Sequence, residues 1–329
     1  SSEYTIIFAL ITSFLVTFVA LPKVISFAQQ FRLTDFAGKR ASHSGSTPVF
    51  GGIAIFSGIL FSLLFWAELE DIQFLITCFL IVFFVGVIDD LLNLSPFKKL
   101  IGQIIAILVV IYLGEMQIDN MHGVLGVYDL PDFFATLFTV FVVIVITNGF
   151  NLIDGVDGLA GGIGVISASC FGLISVLMGQ NDMAIIAFSL MGSLLAFLKY
   201  NFPPAKLFMG DTGSLLIGMI LSILAIRLIG EGLVSEKFNL PNKGPLLAIS
   251  FLAIPLFDSL RVFIVRIRKG RHPLYPGRGH IHHALLDLGV GHRKTAIFLY
   301  LVSIVLIAGS YLVIELNINL GITILAIFS

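Results

Sequence analysis

Apolar residues in this chain neither alternate nor recur as narrow stripes; they run in long blocks separated by short polar connections. A helix needs roughly 17 to 25 apolar residues to cross a bilayer, and one that is apolar all round has no face for water. The blocks predict helices at Tyr4–Ala28, Val49–Ala67, Phe74–Ile88, Leu100–Leu113 and Phe133–Thr147. They continue with Leu159–Met178, Met183–Leu198, Ser214–Ile229, Leu246–Val265 and Ala296–Ile314, and a partial further block begins near Leu320. The expected fold class is therefore an all-α polytopic integral membrane protein with about ten transmembrane helices and a partial eleventh. No internal repeat and no Pro-, Gly- or Ser-rich linker divides the chain, so residues 1–329 are expected to form a single integral membrane domain. The first block is followed by so many others that it reads as a signal anchor rather than a cleaved leader.

Composition agrees: 57% of residues are hydrophobic and 12% charged, which excludes a soluble domain. Cys78 and Cys170 both lie inside apolar blocks, so no disulfide framework is implied. The distribution of charge says more than its sum. Of the 19 Lys and Arg, all except Arg227, Lys237 and Lys243 fall on alternate connections, beginning with the first. Positive residues mark the cytoplasmic side, so the N-terminus is expected outside and the odd-numbered connections inside. Every unusual polar cluster falls on that cytoplasmic side.

The first cluster is Asn148–Gly162, in which Asn151, Asp154 and Asp157 recur every third residue among glycines. Residues three apart are neighbours on a helical surface, so the three are expected to project from one side of a tight turn. Acids at the lip of an apolar segment are costly unless a cation, a partner or water meets them. Helix capping by Asp157 explains one of them and leaves Asp154 and Asn151 without a role. Asp89-Asp90 closes the third block; adjacent carboxylates repel and call for a metal or a basic partner. Lys98 and Lys99 open the next helix and can supply one. Phe208-Met209-Gly210-Asp211-Thr212-Gly213-Ser214 opens the eighth helix, with Asp211 a hard oxygen ligand. The N–H groups that follow suit phosphate, and Phe208 offers a flat face to a base. An ordinary Asp N-cap with a packed Phe is the plainer reading of that heptapeptide.

The last large connection, Arg266–His283, concentrates cations with His280, His282 and His283. Zinc is disfavoured because no Cys joins the histidines. A diphosphate clamp and a patch for anionic lipid both remain open. Collectively, Asp89, Asp90, Asp154, Asp157 and Asp211 stand opposed by Lys, Arg and His, a mixture that fits Mg²⁺ and a phosphorylated substrate.

Together, in this order, these pieces resemble the polyprenyl-phosphate N-acetylhexosamine-1-phosphate transferase superfamily. The pieces are Thr47-Pro48 with Gly51-Gly52, Asp89-Asp90, Asn151-x-x-Asp154-Gly155-x-Asp157-Gly158, Phe208-Met209-Gly210-Asp211 and His280-Ile281-His282-His283. The His-x-His-His form is similar to the bacterial undecaprenyl-phosphate GlcNAc-1-phosphate transferase branch. Asn93 stands where that family's bacterial motif has a third acid, and Gly277 where an Asp often precedes Arg278. The resemblance implies Mg²⁺, with Mn²⁺ as a substitute, held by Asn151 and Asp211 on the diphosphate of UDP-GlcNAc. It implies that Asp157 reads the uracil edge, Phe208 stacks on its face, and Asp154 lies in the same substrate site. Asp89, Asp90 and Lys99 would meet the phosphate of undecaprenyl phosphate, while Arg278, His280, His282 and His283 hold the sugar diphosphate. The implied partners are those two substrates and membrane lipid, not nucleic acid, with a homodimer allowed for. The implied place is the bacterial inner membrane with a cytoplasmic active site, at the first membrane step of a cell-envelope glycan pathway. Other UDP-N-acetylhexosamines or UDP-MurNAc-pentapeptide are the alternative donors, and an ion-coupled transporter is the alternative of another class.

Overall fold

The computed structural model describes residues 2–31, 47–234, 239–268, 270 and 279–329. The apolar blocks become helices α1 (Ser2–Gln30), α2 (Gly51–Trp66), α3 (Leu69–Leu92), α4 (Pro96–Tyr112), α5 (Asp132–Ile153), α6 (Leu159–Leu177) and α7 (Asn181–Asn201). They continue as α8 (Gly210–Glu231), α9 (Gly244–Phe251), α10 (Ala253–Arg268), α11 (Ile281–Asp287), α12 (His292–Leu312) and α13 (Ile318–Phe328). Helices α1, α3, α5, α6, α7, α8 and α12 are long and apolar enough to cross a bilayer, and the bent pair α9–α10 makes up to an eighth span. Helices α2 and α4, with 16 and 17 residues, are shorter. By length and composition the described helices thus fall short of the count of about ten expected from the apolar blocks. The chain is a multi-pass membrane protein.

One expected helix is broken. Leu246–Val265 divides at Leu252 into α9 and α10, which meet at 81°. Pro255 lies just beyond the break; it has no N–H to give the Phe251 carbonyl and its ring crowds that turn, so the apolar block cannot run on straight.

Helix α8 forms the core because its sequence is apolar on all sides from Leu215 to Ile226. It packs against α2, α3, α5, α6 and α9, and 83% of its apolar window is buried. At its first turn the neighbours approach backbone to backbone. A Cβ on Gly52 would lie 2.3 Å from the Gly213 nitrogen, and one on Gly86 would lie 2.4 Å from the Thr212 Cα. Those two glycines bring α2 and α3 onto the start of α8, which is where the polar motifs gather.

Three helices also reach further toward that end than the apolar pattern predicts: α3 continues past Ile88 to Leu92, α5 past Thr147 to Ile153, and α8 begins at Gly210. Each added turn is polar, and each carries site residues.

Candidate active site

The start of α8 is held by a carboxylate from another helix. Gly210 takes a left-handed φ of 76° to turn the chain into α8, and a Cβ there would meet Asp90 Oδ2 at 2.6 Å. Asp90, in the last turn of α3, accepts hydrogen bonds from the Asp211 N–H at 2.7 Å and the Thr212 N–H at 3.0 Å. It also accepts from the Thr212 hydroxyl at 2.5 Å. The expectation that this helix N-terminus is open to a phosphate is therefore corrected: Asp90 fills the end where orphan N–H groups favour an anion.

Asp211, fixed in that first turn, is the hub of the cluster. Its Oδ2 lies 2.5 Å from Lys99 Nζ, which lies 2.5 Å from Asp89 Oδ2 as well. Its Oδ1 accepts from Asn151 Nδ2 at 2.5 Å, and Asn151 also reaches Ser214 Oγ at 2.9 Å. Lys99 gets there because α4 starts at Pro96, whose lost N–H is harmless at a first helical turn. The chain enters α4 through Asn93, which ends α3 at a φ of 49°. Asn tolerates that left-handed geometry, so Asn93 has a backbone role at the position of the missing third acid. Asp89 is 4% exposed and also accepts from the Leu94 N–H at 2.6 Å.

Asp154 follows the last residue of α5 and is half-buried. Burial pushes its carboxyl well above the usual carboxylate range, and the negative charges of Asp211, Asp90 and Asp157 add to the shift. Asn151, Asp154 and Asp157 do not share one face as expected. Helix α5 stops at Ile153, so the three-residue spacing carries no further than Asp154. Asp157 turns to another wall, where it accepts from the Ala205 N–H at 3.0 Å and lies 3.4 Å from His292 Nδ1. It does not cap α6; Gly158 holds that position, with a φ of 78°. The Gly158 N–H donates to Asn201 Oδ1 at 2.9 Å, and Tyr300 donates its hydroxyl to the Gly158 carbonyl at 2.5 Å. Asn201, His292 and Tyr300 had no motif around them, so the sequence did not single them out.

The early motif is stitched to the eighth-helix motif. The Phe208 N–H donates to the Pro48 carbonyl at 2.8 Å, and the Gly51 and Gly52 N–H groups donate to the Phe208 and Met209 carbonyls at 2.9 Å each. Phe208 is half-buried. Arg278, the rest of 271–278, and Lys39 and Arg40 of the early loop lie outside the described residues.

The histidines sit over the turn after α5. His282 is fully buried, and a Cβ on Gly155 would stand 3.0 Å from its Nε2. Its ring stacks on His280 with centroids 5.6 Å apart and lies 4.3 Å from the His283 ring. Burial, with His283 next in weight, holds its pKa down to about 3. His282 is thus a neutral imidazole near pH 7, able to hydrogen-bond but carrying no charge. His280 Nδ1 meets Asp258 Oδ2 of α10 at 2.8 Å. Asp258 is a buried acid inside an apolar block, and such a residue is itself a signal of function that went unused.

The donors around Asp211 suit a hard divalent ion. The Asn151 amide reverses its oxygen and nitrogen by a simple flip, placing an oxygen beside the Asp211 carboxylate with Asp154 nearby. Among the described residues, no group of three or more His, Cys, Asp or Glu is placed to hold a metal ion.

Comparison with known proteins gives this arrangement a lineage. The family described as Glycosyl transferase family 4 matches residues 72–229. The undecaprenyl-phosphate alpha-N-acetylglucosaminyl 1-phosphate transferase of Haemophilus influenzae is 33% identical, over 90% of this chain and 84% of its own. Its namesake in Pasteurella multocida is 34% identical over 87% of this chain and 80% of its own. The decaprenyl-phosphate N-acetylglucosaminephosphotransferase of Mycobacterium leprae is 30% identical over 88% of this chain and 79% of its own. With likeness of that depth along nearly its whole length, the chain belongs to glycosyl transferase family 4, among the polyprenyl-phosphate N-acetylhexosamine-1-phosphate transferases.

Proposed function

We propose that this protein transfers GlcNAc-1-phosphate from UDP-GlcNAc to undecaprenyl phosphate, releasing UMP, at the cytoplasmic face of a bacterial inner membrane. The observation that carries the reading is the convergence of Asp89, Lys99, Asn151 and Asp211 at one end of an apolar bundle. A lipid phosphate arrives there from the bilayer and a UDP-sugar from the aqueous side. The names of the three relatives supply the substrates. The bias of basic residues supplies the cytoplasmic side.

Asp211 and Asn151 would hold Mg²⁺, or Mn²⁺ in its place. When bound, the ion neutralises charge on the diphosphate of the donor. Lys99 faces the incoming lipid phosphate, and Asp89 keeps its ammonium aimed there through the 2.5 Å contact. Asp90 acts at one remove, by fixing the backbone of Asp211. Asp157 takes the uracil edge and Phe208 its face; support for the pairing comes from the grip of Asp157 on Ala205, in the loop that leads to Phe208. Asp154 lies in the same substrate site, within the field of Asp211, Asp90 and Asp157. Arg278, His280, His282 and His283 take the sugar diphosphate. His282 contributes hydrogen bonding rather than charge.

The acceptor needs no base. A phosphate monoester has a second pKa of about 6, so its oxygens are already unprotonated at neutral pH. One of them attacks the β-phosphorus of the donor, the bond from that phosphorus to the oxygen of UMP breaks, and UMP leaves with the electron pair. Placement and charge neutralisation do the catalytic work in such a transfer.

The test is purified protein in detergent with Mg²⁺, undecaprenyl phosphate and a panel of UDP-sugars, with UMP release measured. UDP-GlcNAc is expected to give the highest kcat/KM. Preference for another UDP-N-acetylhexosamine, or for UDP-MurNAc-pentapeptide, would reassign the donor. No release with any donor would sink the proposal.

A further inference from the structure

The histidine motif is held from behind by a residue outside every motif. Asp258, 6% exposed on α10, uses both carboxylate oxygens on it. Oδ2 lies 2.8 Å from His280 Nδ1, and Oδ1 accepts from the Ile281 N–H at 2.8 Å. Ile281 is the first residue of α11, so this second bond caps the helix that carries His282 and His283. Arg261, one turn along α10, lies 3.4 Å from Asp258 Oδ1 and donates to the Gly279 carbonyl at 2.6 Å. Two residues of α10 thus bracket Gly279, His280 and Ile281.

The other side of the motif is unfinished. Among the described residues, His280 Nε2 and both ring nitrogens of His282 are buried without a hydrogen-bond partner. Native proteins rarely strand buried polar atoms, because the lost hydration is not repaid. Three such nitrogens on stacked rings, over the turn at Gly155, mark a place where a polar ligand supplies the partners.

We infer that Asp258 is a positioning residue: it sets the ring of His280 with Nδ1–H turned to α10 and Nε2 turned to the sugar-diphosphate end of the donor. A carboxylate only accepts, so the ring nitrogen facing Asp258 carries a proton. Nε2 is then left for substrate, as in other sites where a carboxylate orients an imidazole. The inference rests on the proposed function for the identity of the ligand, though not for the pairing.

Asp258→Asn separates the two contacts. The Asn carbonyl keeps the Ile281 N–H, while its amide N–H now donates to Nδ1 and so favours the tautomer whose proton sits on Nε2. Donor kcat/KM is expected to fall about tenfold to a hundredfold, the range reached when an outer carboxylate on an imidazole is removed. The KM for undecaprenyl phosphate is expected to stay unchanged. In a His280→Ala background, Asp258→Asn is expected to have no further effect beyond about twofold, because the residue acts through that ring. Equal losses in both backgrounds, or a D258N protein that no longer folds, would show a purely architectural residue and overturn the inference. The readout independent of turnover is ¹⁵N NMR of histidine-labelled protein, with His280→Gln assigning the resonance. Nδ1 is expected to be protonated in the wild type and unprotonated in D258N; no change between them overturns the inference. Wild-type protein without activity but with this tautomer switch would instead refute the proposed function and leave the pairing standing.

Discussion

Asp90 looks like half of a catalytic carboxylate pair, yet its contacts are those of a helix cap, and the two roles predict different losses. Both of its oxygens are engaged by Asp211 and Thr212, at 2.5 to 3.0 Å. In Asp90→Asn one carbonyl oxygen survives to accept, while the charge-assisted share of the other bonds is lost. Charged hydrogen bonds are about twice as strong as neutral ones, so the loss is about 1–2 kcal/mol, a factor of roughly 5–30. Asp90→Ala strands two backbone donors at about 1–3 kcal/mol each. That is enough to let the first turn of α8 fray and carry Asp211 out of place. The assay is UMP release across a Mg²⁺ titration, with thermal melting recorded in the same detergent. D90N is expected to keep a few to twenty per cent of activity, roughly as the factor implies, and to recover part of the loss at high Mg²⁺. D90A is expected to need far more Mg²⁺ and to melt earlier. If D90N has normal melting and no turnover at any Mg²⁺ concentration, Asp90 takes part in the chemistry and the cap reasoning is wrong.

Three further outcomes follow from the geometry. Gly155→Ala puts a methyl 3.0 Å from His282 Nε2 in a buried ring that has little room to yield; donor kcat/KM is expected to fall about tenfold, ~1.4 kcal/mol of misplacement. Unchanged kinetics would show that His282 is not held there. His282 is neutral in the folded protein, with a pKa of about 3 against 6.5 for the free side chain. Its share of stability is therefore complete above pH 6.5 and lost as pH falls toward 3, by up to about 1.4 kcal/mol per pH unit. Melting between pH 7.5 and 5 is expected to decline less in His282→Gln than in wild type; parallel declines contradict the assignment. Direct displacement also predicts no exchange of labelled UMP into UDP-GlcNAc without a lipid acceptor. Robust exchange would establish a covalent phosphoryl-aspartate instead.

The fold class was legible because a bilayer leaves the backbone few choices, and the α1–α8 blocks announced themselves by their unbroken apolar character. The ends of those helices were not. The added turns that hold Asp90, Asn151 and Asp211 are polar, and their support comes from across the site, as with Asp90 and Asp211, 121 positions apart. The break at Leu252 was hidden in an apolar run, though Pro255 was its cue. Motif residues were readable as a set, since five acids beside Lys and His on one side demand a common explanation. Their division of labour was not readable. Sequence shows that Asp157 and Asp90 are near something; only the fold shows that one grips Ala205 and the other caps α8. The motif acids Asp89, Asp90, Asp154, Asp157 and Asp211 lie at or beside helix ends rather than midway along the spans, which gives the transporter reading no support.

The most direct measurement follows the phosphorus. UDP-GlcNAc labelled at its β-phosphorus is incubated with Mg²⁺, undecaprenyl phosphate and either the wild type or Asp211→Ala. The wild type is expected to move the label into the solvent-extractable lipid, with one UMP released per lipid labelled, and Asp211→Ala to move essentially none. Label that stays in the aqueous phase while UMP accumulates, or equal transfer by Asp211→Ala, would contradict a single rim where Asp211 brings the nucleotide-sugar and the lipid phosphate together.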